Sequence, residues 1–193
     1  MAQTPSTMLP LGTQAPDFTL PDVVTGQQLS LQEAKSDIAT VIVFICNHCP
    51  FVLHIQDGLI QAAKDYISKG VSFIAISAND IEQFPEDGPE KMQEFAERKQ
   101  FPFPYLYDET QGTAKAYKAA CTPDFYIFDK NMRCVYRGQF DDARPGNGIP
   151  VTGKDLRAAL DNLLAGKPVS KHQRASIGCN IKWKPDNAPA YFG

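Results

Sequence analysis

No stretch of this chain approaches the ~20 consecutive apolar residues of a membrane span, and Met1-Ala2-Gln3-Thr4-Pro5-Ser6 has neither the basic start nor the apolar core of a secretory leader. A soluble protein of the cytoplasm, with no membrane partner, is the expectation. Positive charge is not in surplus either. The 19 Lys and Arg are scattered among 22 Asp and Glu for a net charge of -3, so the electrostatic footprint that a nucleic acid needs is missing. Cysteine is sparse as well: five residues, Cys46, Cys49, Cys121, Cys134 and Cys179, are an odd number spread over 193, unlike the dense even set of a secreted disulfide scaffold. Internal repeats and low-complexity segments are lacking. With 43% apolar and 21% charged residues the chain reads as one globular domain, residues 12–168, preceded by an arm, 1–11, and followed by a tail, 169–193, packed on it.

What is there is organised around Cys46-Asn47-His48-Cys49-Pro50. The apolar, β-branched run Ile38 to Ile45 leads into it and reads as a central strand buried on both faces. Val52, Ile55, Leu59, Ala63 and Tyr66 or Ile67 recur at helical spacing behind it, until Gly70. Pro50 suits the first helical position, which makes Cys49 the N-cap. There the unpaired N–H groups of Phe51 and Val52 and the positive end of the helix dipole favour a thiolate.

Around this junction the pattern predicts further elements. Ala15–Leu20 and Gln28–Leu31 flank a turn at Asp22–Gly26 and predict a hairpin. Val71–Ile76 is a second buried strand, parallel to the first because a helix connects them. Gly88-Pro89 opens a helix that ends before Phe101-Pro102, and Asp108 caps a short one reaching Ala119. Phe125–Phe128 and Cys134–Arg137 form an antiparallel pair. Asp141, Asp142 and Arg144 read as solvated residues of a Gly/Pro/Asp loop, after which Thr152 and Asp155 resemble a capping box for a helix stopped by Gly166. The tail holds Cys179, Trp183, Tyr191 and Phe192 without a period, so it drapes over the domain.

This order of elements, with a Cys-x-x-Cys at the first strand-to-helix turn, resembles the thioredoxin-like superfamily. Gly12-x-x-Ala15-Pro16-Asp17-Phe18-x-Leu20 is similar to the opening of its redoxins, and Cys46-Asn47-His48-Cys49-Pro50-Phe51-Val52 with Gly178-Cys179-Asn180-Ile181-Lys182-Trp183 resembles a peroxiredoxin-like (AhpC/TSA-type) branch. The resemblance implies an α/β fold: a central mixed β-sheet flanked by helices, with an N-terminal β-hairpin and an extended tail. It places Cys49 at the nucleophile position. It also shows departures: Cys46 stands where peroxiredoxins have a threonine, Ile42 where they have a proline, and Thr122-Pro123-Asp124 where their activating arginine falls, so the groups that polarise a peroxide are missing. Thr122-Pro123 resembles instead the cis-proline that faces the cysteines of thioredoxin-like proteins.

The expected chemistry is thiol–disulfide exchange, with Cys49 as nucleophile and Cys46 as resolving thiol. Its partners would be a protein or small-molecule disulfide and a thiol reductant, with no cofactor, in a monomer or homodimer. Thr122, Pro123, His48, Cys121 and Cys179 are accessory candidates, His48 by charge and the two cysteines as further redox partners. One alternative is a weak peroxidase in which Cys49 becomes a sulfenic acid. Another is a metal-binding or redox-sensing module built on Cys46, His48, Cys49 and His54, although a structural zinc site draws its ligands from two separated pairs. Cys134 reads as a small buried hydrophobe.

Overall fold

A computed structural model describes residues 3–192. The elements run β1 (Gln3–Pro5), β2 (Thr19–Pro21), β3 (Gln28–Ser30), α1 (Leu31–Ala34), β4 (Ala39–Phe44), α2 (Pro50–Ile67), β5 (Val71–Ser77), a 3-10 turn (Pro85–Asp87) and α3 (Pro89–Lys99). They continue through β6 (Tyr105–Tyr107), α4 (Gly112–Ala116), β7 (Cys121–Thr122), β8 (Asp124–Asp129), β9 (Cys134–Gly138), α5 (Lys154–Leu164) and β10 (Ile177–Asn180).

The five-stranded sheet is ordered β6-β5-β4-β8-β9, with β4 at its centre as the apolar run predicts. Val41 pairs in parallel with Phe73 of β5 and antiparallel with Ile127 of β8. Because successive strand side chains point to opposite faces, one run feeds two cores. Val41 and Val43 join Phe73, Phe125 and Ile127 against α2, α3 and α5. Ile42 and Phe44 join Ile74, Tyr126 and Phe128 against α1, α4 and Trp183. A strand without polar alternation is thereby consistent with burial on both sides.

Helix α2 buries Val52, Ile55, Leu59, Ala63 and Tyr66, while Ile67 stays 37% exposed, so Tyr66 closes the apolar stripe. Its hydroxyl donates to Asp161 Oδ1 at 2.6 Å. Helix α3 occupies the predicted span, and β2–β3 forms the predicted hairpin. The antiparallel pair β8–β9 is likewise present.

Three expectations need correction. Asp108 does hold the start of α4, accepting from the Ala114 amide at 2.8 Å, but the helix ends at Ala116 rather than Ala119. The Thr152/Asp155 capping box does not form: Gly153 is the N-cap in a left-handed conformation, φ 67°, and Thr152 Oγ1 accepts only from the Lys154 amide, at 3.3 Å, with no return bond from Asp155. Asp155 instead accepts from Gln139 Nε2. The amides of Thr152 and Gly153 are taken by Asp141 Oδ2, at 2.7 and 2.6 Å, while Asp141 Oδ1 accepts from Ala143. Asp141 is therefore a buried loop organiser, 1% exposed, and not a solvated turn residue. Nor is Arg144 free in solvent, since its guanidinium donates to the Asp141 and Ala143 carbonyls and to Gln139 Oε1. Asp142 is held by Lys154 and Arg174.

The tail does more than drape. Its strand β10 lies between β1 and β7 in a second, antiparallel sheet, with Cys179 opposite both Gln3 and Thr122. The first eleven residues are thus partly paired through β1 rather than being a bare arm.

Candidate active site

Strand β4 ends at Phe44 and α2 begins at Pro50, so the five residues between them form a tight turn at the carboxyl edge of the sheet. Cys49 is the N-cap of α2, with φ -68° and ψ 120°, and its carbonyl accepts the first helical bond from Leu53 at 3.0 Å. Opposite the turn stands Thr122-Pro123, whose peptide bond is cis. Thr122 meets both cysteines: Cys49 Sγ lies 3.1 Å from its carbonyl oxygen and Cys46 Sγ 3.5 Å from its Oγ1.

Cys179 completes the cluster. It faces Thr122 across the β10–β7 ladder, and residues opposite each other in such a ladder share a face. Its thiol reaches Cys49. The Cys179 and Cys46 thiols donate to Cys49, in that order of effect, and hold it well below the usual thiol range against the opposing cost of burial; Thr122 and the Val52 amide add to the lowering. The helix amide named by the sequence pattern therefore contributes less than two neighbouring thiols that it could not rank. The same bonds to Cys49 push Cys46 and Cys179 upward, and burial adds to both. A thiol lowered by its neighbours in this way has its charge stabilised as soon as its proton leaves. All five cysteines are free and buried, and Cys49 itself is 0% exposed.

Cys121 is not in the cluster. Strand alternation sends it and its partner Asn180 to the opposite face from Thr122 and Cys179, and its Sγ sits 3.7 Å from the Pro123 carbonyl. Burial first, and then Asp124, push its thiol well up. Cys134 packs in the second core, raised to about 12 chiefly by burial.

His48 is not a bare loop residue. Its Nδ1 lies 2.7 Å from Asp87 Oδ2 and 3.8 Å from Glu86 Oε1, and its ring stacks on Phe84 with centroids 5.5 Å apart. The bond to Asp87 raises its pKa, partly offset by burial. Asp87 sits in the 3-10 turn before α3 and is fully buried. Its Oδ1 accepts from the Asn47 amide and its Oδ2 from Asn79 Nδ2, each at 2.8 Å. Asn47 also donates through Nδ2 to the Glu86 carbonyl and accepts from the Tyr105 hydroxyl, so the centre of the turn is locked from three sides.

Among the described residues, Cys46, His48 and Asp87 bring possible ligand atoms within 4.8 Å of one another. His54 is exposed on α2 and does not join them. Nδ1 and Oδ2 lie 2.7 Å apart, so the two groups pair by charge when the ring is protonated, yet Nδ1 is buried and makes no hydrogen bond. Asp87, Asn79 and Tyr105 were not singled out by the sequence pattern. Asn79 follows the carboxyl end of β5, the edge where ligands gather in open α/β sheets, and that placement was the available signal.

Residues 11–137 match the AhpC/TSA family. An uncharacterized conserved protein from Geobacillus kaustophilus is 63% identical over 96% of this chain and 98% of its own, with a TM-score of 0.95. The peroxidoxin BcpB of Mycobacterium tuberculosis is 21% identical over 80% of this chain and 96% of its own, with a TM-score of 0.61. The thioredoxin domain of a thiol-disulfide oxidoreductase from Bacteroides vulgatus is 18% identical over 69% and 91%, with a TM-score of 0.59; these last two likenesses identify a thioredoxin-like fold. No functionally curated protein matches the chain.

Proposed function

Because the chain belongs to the AhpC/TSA family, a thiol redox lineage on a thioredoxin-like fold, we propose that it is a thiol–disulfide oxidoreductase with Cys49 as nucleophile and Cys46 as resolving thiol. One observation carries the reading: Cys49, at the start of α2, has its Sγ 3.1 Å from the carbonyl oxygen of Thr122, the residue before cis-Pro123, and the Cys46 Sγ lies 3.5 Å from the hydroxyl of the same threonine. The Cys49 thiolate attacks one sulfur of a substrate disulfide and expels the other as a thiolate, leaving a mixed disulfide. Cys46 then attacks Cys49 Sγ, expels the second substrate thiolate and closes a Cys46–Cys49 bond. The substrate has gained two electrons, and a thiol reductant returns them to the enzyme. Substrates are protein or small-molecule disulfides, and a cytoplasmic setting belongs to the same proposal.

Thiolates in such surroundings titrate at ~3.5–7.5 rather than ~8.5. Iodoacetamide labelling of Cys49, located by peptide mass spectrometry, is expected to keep its rate as the pH falls below 7. Cys49→Ser is expected to abolish turnover of a disulfide substrate. A Cys49 that titrates near the free-thiol value, or a serine variant with full activity, would refute the assignment.

The contact between Cys179 and Cys49 favours a second reading. A hydroperoxide would oxidise Cys49 to a sulfenic acid, releasing the alcohol, and the Cys179 thiol would condense with it to a disulfide and water. Mapping the cysteine pairs after mild oxidation separates the two readings, since exchange links Cys49 to Cys46 and the peroxide cycle links it to Cys179.

A further inference from the structure

Cys46 is 1% exposed, so its proton has no direct path to water. That matters only at one moment of the cycle. While both sulfurs are reduced, Cys46 donates to Cys49. Once Cys49 is bonded to a substrate sulfur it no longer carries the charge that accepts this hydrogen bond, and Cys46 must lose its proton to another group in order to attack. The groups that face Cys46 are Cys49, Thr122, Tyr105 and Asp87. Thr122 is a hydroxyl with no useful basicity, and Tyr105 is a phenol already donating to Asn47. Asp87 and the imidazole bonded to it remain, with their atoms within 4.8 Å of the Cys46 sulfur.

The pair also has the form a proton acceptor needs. Asp87 is fully buried and pinned by the Asn47 amide and Asn79, and it holds a carboxylate 2.7 Å from His48 Nδ1, a buried nitrogen that makes no hydrogen bond. The His48 side chain is 22% exposed, which gives a proton taken at the buried end an exit to solvent at the other. Phe84 fixes the ring plane by stacking, and the charges that face the ring besides Asp87 are Glu86 and Lys182.

We propose that the His48–Asp87 pair is the base that takes the Cys46 proton during the resolving step. The proposal rests on the oxidoreductase reading above. The Cys46 S–H proton passes to the unpartnered Nδ1 of the neutral His48 ring as the sulfur attacks Cys49 Sγ, the Cys46–Cys49 bond forms, the bond from Cys49 to the substrate sulfur breaks, and the departing thiolate keeps the electron pair, while Asp87 stabilises the imidazolium that results. The proton then leaves through the exposed edge of the imidazole. A thiol, its base and a buried group that orients the base make the arrangement of an activated nucleophile, here serving the second sulfur and not the first.

The test is a single turnover of the full-length reduced protein with 5,5′-dithiobis(2-nitrobenzoate), which releases one coloured thiolate when Cys49 attacks and another when Cys46 resolves. His48→Gln is expected to leave the first release unchanged and to slow the second by about 100-fold, the size of a general-base contribution. In the wild type the second rate should rise with pH through the titration of His48, because the neutral ring is the acceptor, and that limb should vanish in His48→Gln. Asp87→Asn removes the negative charge that raises His48, so its limb should move to lower pH. If the glutamine variant keeps both the second rate and its pH limb, the proposal is overturned. A first release that survives in Cys49→Ser overturns the oxidoreductase reading instead, so the two failures are distinguishable.

Discussion

At the scale of the residue, Asp141 shows how much one side chain can organise. It is buried and accepts from three backbone amides, two of them at the start of α5. Hydrogen bonds to an ionised group contribute ~1.5–3 kcal/mol each, and stranding the donors removes more than one. Asp141→Ala is therefore expected to cost about 2–4 kcal/mol in urea unfolding; a loss below ~0.5 kcal/mol would place Asp141 among ordinary surface positions. Cys49 as N-cap was legible in the sequence because strand, proline and apolar helix stripe are all local signals. Asp141 and Asp87 were not. Each serves backbone groups remote in the chain, and nothing in an Asp-Asp or an Asp-Gly-Pro string reveals which distant amides it will meet.

At the scale of the element, β10 sets access to the sulfurs. Gly178 lets it approach: a Cβ there would lie 1.9 Å from the Thr122 carbonyl oxygen and 2.6 Å from its carbon, both rigid backbone. Gly178→Ala is thus expected to push β10 off β7 and to speed iodoacetamide labelling of Cys179 and Cys49 in the native protein, with the far-ultraviolet circular dichroism retained. Unchanged labelling would mean that the strand is not what covers them. The helices and central strands followed from their own periodicities, since 3.6 and 2 are written in consecutive residues. Strand β10 has no such pattern. Its four residues, Ile-Gly-Cys-Asn, become a strand because β1 and β7 offer unpaired edges on either side, a fact of tertiary structure. The capping box of α5 failed for a related reason, because Gly153 takes a left-handed conformation against the Phe140 ring and itself becomes the N-cap, which leaves Thr152 Oγ1 with the Lys154 amide alone.

At the scale of the whole molecule, pH acts through Asp124. Burial raises its carboxyl to about 7, with bonds from Ser6, Tyr126 and the backbone opposing. An unfolded aspartate ionises near ~3.9. Its folded value is the higher one, so its contribution to stability is fully present below about pH 4 and is lost as the pH rises through about 7. Asp124→Asn, which cannot ionise, is expected to gain stability relative to the wild type across that interval. Urea unfolding at both ends checks it, and a difference independent of pH would show that the carboxyl titrates normally in the fold.

The pairing of β1 and β7 with β10 also orders events during synthesis. Cys46, Cys49 and Thr122 emerge from the ribosome well before Cys179, so the nascent chain presents its two motif sulfurs uncovered while the central sheet is already able to pair. Strand β1, made long before β10, has no partner until β10 arrives. The thiol cluster is therefore closed by a segment made well after the motif, and until then the motif cysteines are open to whatever oxidant or thiol the surroundings supply.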